Sequence, residues 1–201
     1  MAIYYIGDMH FFHGNALNFD NRPFDSFADE LEKMTVLWNN TVKDTDEVKI
    51  LGDMFCSEPL GLDYKKILNS LNGDKTLIVG NHDDRLLQAG VEDCFKSIVT
   101  SDYFTDIVYK ENGPIPVEVH ASHYPYLIWN KGRKHSYHVY AHVHNLINED
   151  TIFLASKERA LNAGCMITGY KPVTLTNLIE YNKVYKTLLL QGKTVSEMRN
   201  Y

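Results

Sequence analysis

Five short clusters of histidine, aspartate and asparagine stand out in this sequence: Asp8-Met9-His10, Gly52-Asp53, Gly80-Asn81-His82-Asp83, His120-Ala121-Ser122-His123 and Ala141-His142-Val143-His144. Carboxylate oxygen, amide oxygen and imidazole nitrogen are borderline-to-hard donors suited to Mn²⁺, Fe, Zn²⁺, Co²⁺ or Ni²⁺, and the set offers no thiolate. Two such ions roughly 3.5–4 Å apart, sharing one carboxylate, activate water and clamp the oxygens of a phosphoryl group. The chemistry of the set is that of a two-metal hydrolytic site. Taken singly, each cluster has a plainer reading as a turn, a helix cap or a surface pair. All five in order, each after a strand-like run, are much harder to assign to chance.

The elements that must position them are legible as short apolar runs ending in turn signals. Ile3–Ile6 precedes Gly7-Asp8, Val48–Leu51 precedes Gly52-Asp53, and Leu77–Val79 precedes Gly80-Asn81, a pattern of buried strands. Between the first two, Ser26 to Glu30 resembles a capping box. Phe27, Leu31, Met34 and Trp38 then form one apolar helical face. Ile67, Leu68 and Leu71 mark a shorter helix stopped by Asn72-Gly73. The order β-α-β-α-β predicts parallel strands with right-handed crossovers. In the second half, Phe104–Tyr109 and Ile115–Ala121 flank the hairpin signal Glu111-Asn112-Gly113-Pro114, and Tyr137–Ala141 reads as a strand. An extended region is expected over Ala160–Ile167. A final helix through Leu190, capped by Thr174 or Thr176, would bury Leu178, Tyr181, Tyr185 and Leu188. The fold class expected is a layered α/β sandwich of two mixed sheets. Loops beyond the strands' carboxyl ends converge on one crevice in such sheets, so five strand ends can supply one site. His142 and His144 would share one side of an extended strand.

With 201 residues, 44% hydrophobic and 23% charged, the chain suits a single domain over residues 1–201. No apolar run approaches the roughly 18 residues of a membrane span. The N-terminal residues lack a basic region before their apolar run, and the three cysteines (Cys56, Cys94, Cys165) form no C-x-x-C pair, so a cytoplasmic location is expected. A net charge of −6 argues against binding long nucleic acid through a basic face. Six of the nine histidines fall between positions 120 and 144.

In order and type, the five clusters resemble the signature of the calcineurin-like metallophosphoesterases: D-x-H, G-D, G-N-H-[D/E], H, G-H-x-H. The opening His10-Phe11-Phe12-His13 running on to Asn21-Arg22-Pro23-Phe24 is similar to small bacterial and phage-like members. The resemblance implies an αββα sandwich. It assigns Asp8, His10, Asp53 and His144 to one metal and Asp53, Asn81, His123 and His142 to the second, with Asp53 bridging. It also implies attack by a metal-bridging hydroxide on a phosphomonoester or phosphodiester, with His82 stabilising the transition state or protonating the leaving oxygen and Asp83 orienting it. The expected partner is a small phosphate ester, a nucleotide included, with no membrane or partner protein. Ala141 departs from the family glycine and would be strained if that position needs positive φ. A catalytically weak scaffold on the same fold is the alternative, and the presence of His82 with every ligand position favours the enzyme.

His13 and Arg22, cations near the first motif, are candidates for a phosphate pocket, Asn81 with them; the alternative pairs Arg22 with an acid and leaves His13 capping a turn. His120, His135 and His138 read as structural or exposed, and Cys56 as core or wall. Lys131, Arg133 and Lys134 beside Trp129 and Tyr137 form either a small nucleic-acid contact or a solvated basic loop.

Overall fold

The computed structural model describes residues 1–56 and 61–195. The first half alternates strand and helix: β1 (Ile3–Ile6), a single turn α1 (Ala16–Phe19), α2 (Phe27–Thr41), β2 (Glu47–Ile50), α3 (Tyr64–Asn69), β3 (Asp74–Ile78), α4 (Asp84–Gln88) and β4 (Ser97–Val99). The four strands run parallel in the order β4-β3-β2-β1, as β-α-β crossovers dictate. The second half contains β5 (Ser101–Lys110), β6 (Gly113–Ser122), β7 (Ser136–Tyr140), α5 (Glu149–Ala155), β8 (Ala160–Asn162), α6 (Cys165–Thr168), β9 (Val173–Thr174) and α7 (Leu175–Leu190). β5 and β6 form the expected hairpin, and the second sheet runs β5-β6-β7-β8 with β6, β7 and β8 parallel. β9 joins the first sheet antiparallel to β1. Both sheets are therefore mixed.

Strand alternation divides the apolar residues between two cores. Ile6, Val48, Ile50 and Leu77 pack with Met34 and Trp38 of α2 and Leu68 of α3 on the outer face of the first sheet. Tyr5, Leu51 and Ile78 meet Val119, Ala121, Val139 and Leu161 between the sheets. A third, smaller cluster joins Leu154 of α5 to Tyr140 and Ala160 on the second sheet. Helix α7 reaches both main cores, with Leu178 between the sheets and Tyr185 and Leu189 in the outer core. No helix among the described residues is long and apolar enough to cross a membrane.

Three local expectations change and one is resolved. The region Ala160–Ile167 is extended only through Asn162, because Gly164 opens the short helix α6. Thr174, not Thr176, caps α7 by accepting from Asn177 N–H, whereas the Thr176 hydroxyl accepts from Tyr109 N–H. On α7 the buried set includes Asn182, while Tyr181 points outward. On α2, Glu30 is buried with Met34 and Trp38, an acid on the face expected to be apolar.

The strand ends all face one way. β1, β2, β3, β6 and β7 run out into the segments carrying Asp8 and His10, Asp53, Asn81, His123, and His142 and His144. Gly7 extends β1 into the second sheet: its N–H donates to Ala163 O and its carbonyl accepts from Cys165 N–H, both at 2.8 Å. The two sheets are thereby stitched together beside the site.

Candidate metal centre

Two triads assemble there. Asp8, His10 and His144 form one, and Asp53, His123 and His142 the other; within each, one donor atom per residue lies within 4.8 Å of the others. Asp53 Oδ2 stands between them, 3.6 Å from His10 Nε2 and 3.4 Å from His123 Nε2. Asn81 Oδ1 lies 3.1 Å from His123 Nε2 on the second side. Asp8 Oδ1 accepts from His142 N–H at 3.0 Å, while its Oδ2 is buried without a hydrogen-bond partner. A buried carboxylate oxygen with no donor is costly unless a cation stands beside it, so this set fits divalent ions.

Hydrogen bonds on the far side of each ring fix which nitrogen faces the centre. His123 Nδ1 donates to Leu51 O at 2.7 Å, and His144 Nδ1 donates to Asp20 at 3.0 Å, leaving both Nε2 lone pairs inward. Burial, with the nearby His144 second, pushes His10 down to about 3, so its imidazole is neutral and competent as a ligand. Burial also lowers His142. In His123 and His144 burial acts the same way, but hydrogen bonds to Asp53 and Asp20 outweigh it and both are raised. Burial alone would raise Asp53; the His123 hydrogen bond and charge overcome it and hold the carboxyl at about 2.

The backbone carries strain at these positions. Asp8, His10, Asp53, His142 and His144 all have positive φ, between 47° and 69°. Non-glycine residues adopt that region at a cost of about 1–3 kcal/mol each, and such conformations cluster at functional sites. Two glycines give the donors room. A Cβ on Gly80 would stand 2.2 Å from Asp53 Oδ1, and one on Gly52 (φ +80°) would meet Gly80 N at 2.6 Å and His123 Nδ1 at 2.7 Å.

The other expected residues fall into place or move. His142 and His144 do not share one side of a strand: β7 ends at Tyr140, and positive φ at both residues sends them to different triads. Ala141 is not at positive φ; its methyl occupies the space left by Gly7, where a Cβ would come within 2.7 Å. His82 is exposed, with Nδ1 3.5 Å from Cys56 Sγ, so Cys56 forms wall here. Asp83 does not orient that ring. Its carboxylate accepts from Gly80, Asp53 and Met54 N–H at 2.8–3.0 Å, clamping the second and third strand-end loops together.

Arg22 does not face the crevice. Its side chain is fully buried, donating to the Asp8 and Met9 carbonyls and paired with Asp20 and Glu30, so it braces the first motif from behind. His13 is half-buried, its ring 5.5 Å from that of His10 and 6.4 Å from that of His82. His138 is buried and structural: Nε2 accepts from Tyr126 N–H, Nδ1 donates to His120 O, and burial lowers it to about 4. Two neighbours of the centre escaped the sequence reading. Asp20 orients His144, and its only local signal is an acid two positions before Arg22. Tyr124 stands at the rim, its hydroxyl 3.4 Å from Asn81 Oδ1 and its ring 4.4 Å from that of His142.

A family profile described as calcineurin-like phosphoesterase matches residues 1–159. The uncharacterized protein MJ1445 of Methanocaldococcus jannaschii is 30% identical over 189 residues, covering 92% of this chain and 96% of that protein. The crystal structure of AQ665 from Aquifex aeolicus, a protein of unknown function, superposes with a TM-score of 0.62 at 22% identity, covering 89% of this chain and 98% of that one. That likeness concerns the fold.

Proposed function

Because this chain belongs to the calcineurin-like phosphoesterase family, we propose that it hydrolyses a small phosphomonoester or phosphodiester, a nucleotide included, at a dinuclear centre. The observation that carries this reading is Asp53 Oδ2 set between His10 and His123, the position a shared carboxylate needs. When bound, two divalent ions supply a nucleophile at neutral pH and polarise the phosphoryl oxygens. Asp8, His10, Asp53 and His144 would hold one, and Asp53, Asn81, His123 and His142 the other. The donor types suit Mn²⁺, Fe, Zn²⁺, Co²⁺ or Ni²⁺.

The protein's own groups have separate tasks. His82, exposed at the mouth, is placed to stabilise the phosphoryl group or to protonate the leaving oxygen. His13 and Asn81, with Tyr124, are placed to orient the ester from the rim. Arg22 takes no part in substrate contact and holds the Asp8 and Met9 backbone in register.

Metal analysis after reconstitution with Mn²⁺ is expected to find close to two ions per chain. A panel of phosphomonoesters, linear and cyclic nucleotide diesters and dinucleotides is expected to reveal turnover that Asp53→Asn abolishes along with metal occupancy. Absence of metal, or full turnover in Asp53→Asn, would overturn the reading. His82→Ala should keep both ions and lose at least 10²-fold in rate. Because protons compete for imidazole, occupancy should also fall as pH drops through the raised values of His123 and His144.

A further inference from the structure

A second concavity lies at the opposite end of β7. The segment after His123 crosses the second sheet and brings Leu127 to His135 against Ser156 to Arg159, lining an open groove of about 860 Å³. A contiguous hollow of about 520 Å³ shares Lys131, Lys134, His135 and Arg159 with it. The metal centre lies beyond the other end of β7, separated by roughly 13 Å of strand, and none of its donors lines either hollow.

The lining is unlike the rest of the molecule. In a chain of formal charge −6, six lysine and arginine side chains line the two hollows against two glutamates, Glu118 and Glu158. Glu118 is engaged by Lys131 at 2.6 Å. Among the described residues, Arg133, Lys134, Lys157 and Arg159 have no carboxylate partner; Arg159 lies over the Tyr137 ring at 4.8 Å and Lys157 over Phe153 at 4.4 Å. Between these cations lies apolar surface: Trp129, packed on the Tyr140 and Leu154 cluster, and the exposed Leu127 and Ile128. The volume matches small-molecule sites. Unpaired guanidinium and ammonium groups select phosphate, while an aromatic and aliphatic floor selects a flat apolar body. The net charge of −6 on the whole chain disfavours a long polyanion.

We propose that this groove is a nucleotide-binding site, separate from the metal centre, in which Arg133, Lys134, Lys157 and Arg159 hold the phosphates and the Leu127–Trp129 surface receives the base. It does not depend on the hydrolytic reading.

Calorimetric titration of ADP tests this, with Trp129 fluorescence as a second readout against the buried Trp38. ADP is expected to bind wild-type protein and Asp53→Asn alike, and at least tenfold more weakly to the exposed double variant Arg133→Ala/Lys134→Ala and to Arg159→Gln. Adenosine and inorganic pyrophosphate should each bind more weakly than ADP. The proposal is overturned if ADP does not bind, or if Asp53→Asn alone removes binding. It also fails if pyrophosphate binds as tightly as ADP, or if a single-stranded oligonucleotide occupies the groove and ADP does not.

Discussion

Asp20 shows how much of a centre depends on residues that never touch it. It holds His144 Nδ1 at 3.0 Å and Arg22 Nη2 at 2.8 Å, so one carboxylate both aims a donor ring and anchors the guanidinium that supports Asp8 and Met9. Partners of this kind change metal affinity by about 10–100-fold when removed. Asp20→Asn is therefore expected to weaken metal binding by that factor in a chelator competition, and to lower the thermal midpoint because the buried Arg22 loses one of the two carboxylates that balance its charge. The six residues of the two triads were legible because their types and spacing are local properties. Asp20, Glu30 and the burial of Arg22 were not, since an ion pair closed by the fold leaves no periodic signal. Arg22 looked like a phosphate cation only because sequence proximity to Asp8 does not say which side of the loop a side chain takes.

Helix α7 lies beyond the residues matched by the family profile, yet it reaches the centre through buried polar groups. Asn182 accepts from Asn162 N–H at 2.7 Å and donates to Asn162 O at 2.9 Å, and the Asn162 side chain donates to His144 O at 2.7 Å. Asn182→Ala would leave both backbone groups of Asn162 buried and unpaired, at a cost of about 1–3 kcal/mol each. Urea denaturation should register this loss, and metal titration should show a weaker site at His144. On the outer face of the first sheet, Trp38 is almost wholly buried in the core that includes Leu68 of α3 and the strand residues Ile50 and Leu77. Trp38→Ala should cost about 3–5 kcal/mol in the same assay. The β-α-β-α-β half was legible because its strands are continuous apolar runs and α2 has a capped, periodic face. β4, β9 and α6 are two to four residues long, too short for periodicity to register, and exist because neighbouring strands offer them partners.

The two sheets are joined by charge as well as by apolar packing. Lys49 of β2 contacts Glu47 at 2.6 Å and Asp102 of β5 at 2.7 Å, and Lys96 adds a second contact to Glu47. Burial would raise Glu47, but hydrogen bonds from Lys49 and Lys96 prevail and hold it at about 2, below the ordinary 4.5. A depressed folded-state value contributes stability that is complete above the ordinary value and disappears as pH falls through the folded one. Between about pH 4.5 and 2 the wild-type thermal midpoint should therefore fall more steeply than that of Glu47→Gln. The variant should be the less stable at neutral pH, and the two curves should converge in acid. Donor types, their order along the chain and the strands that deliver them can be read from residue identity and spacing, because metal chemistry and backbone alternation are both local. Only the folded molecule turns Arg22 inward, engages Asp83 with backbone N–H groups and sets the His142 N–H on Asp8. Those outcomes depend on left-handed turns and buried partners supplied by residues up to 134 positions away, as with Asp8 and His142.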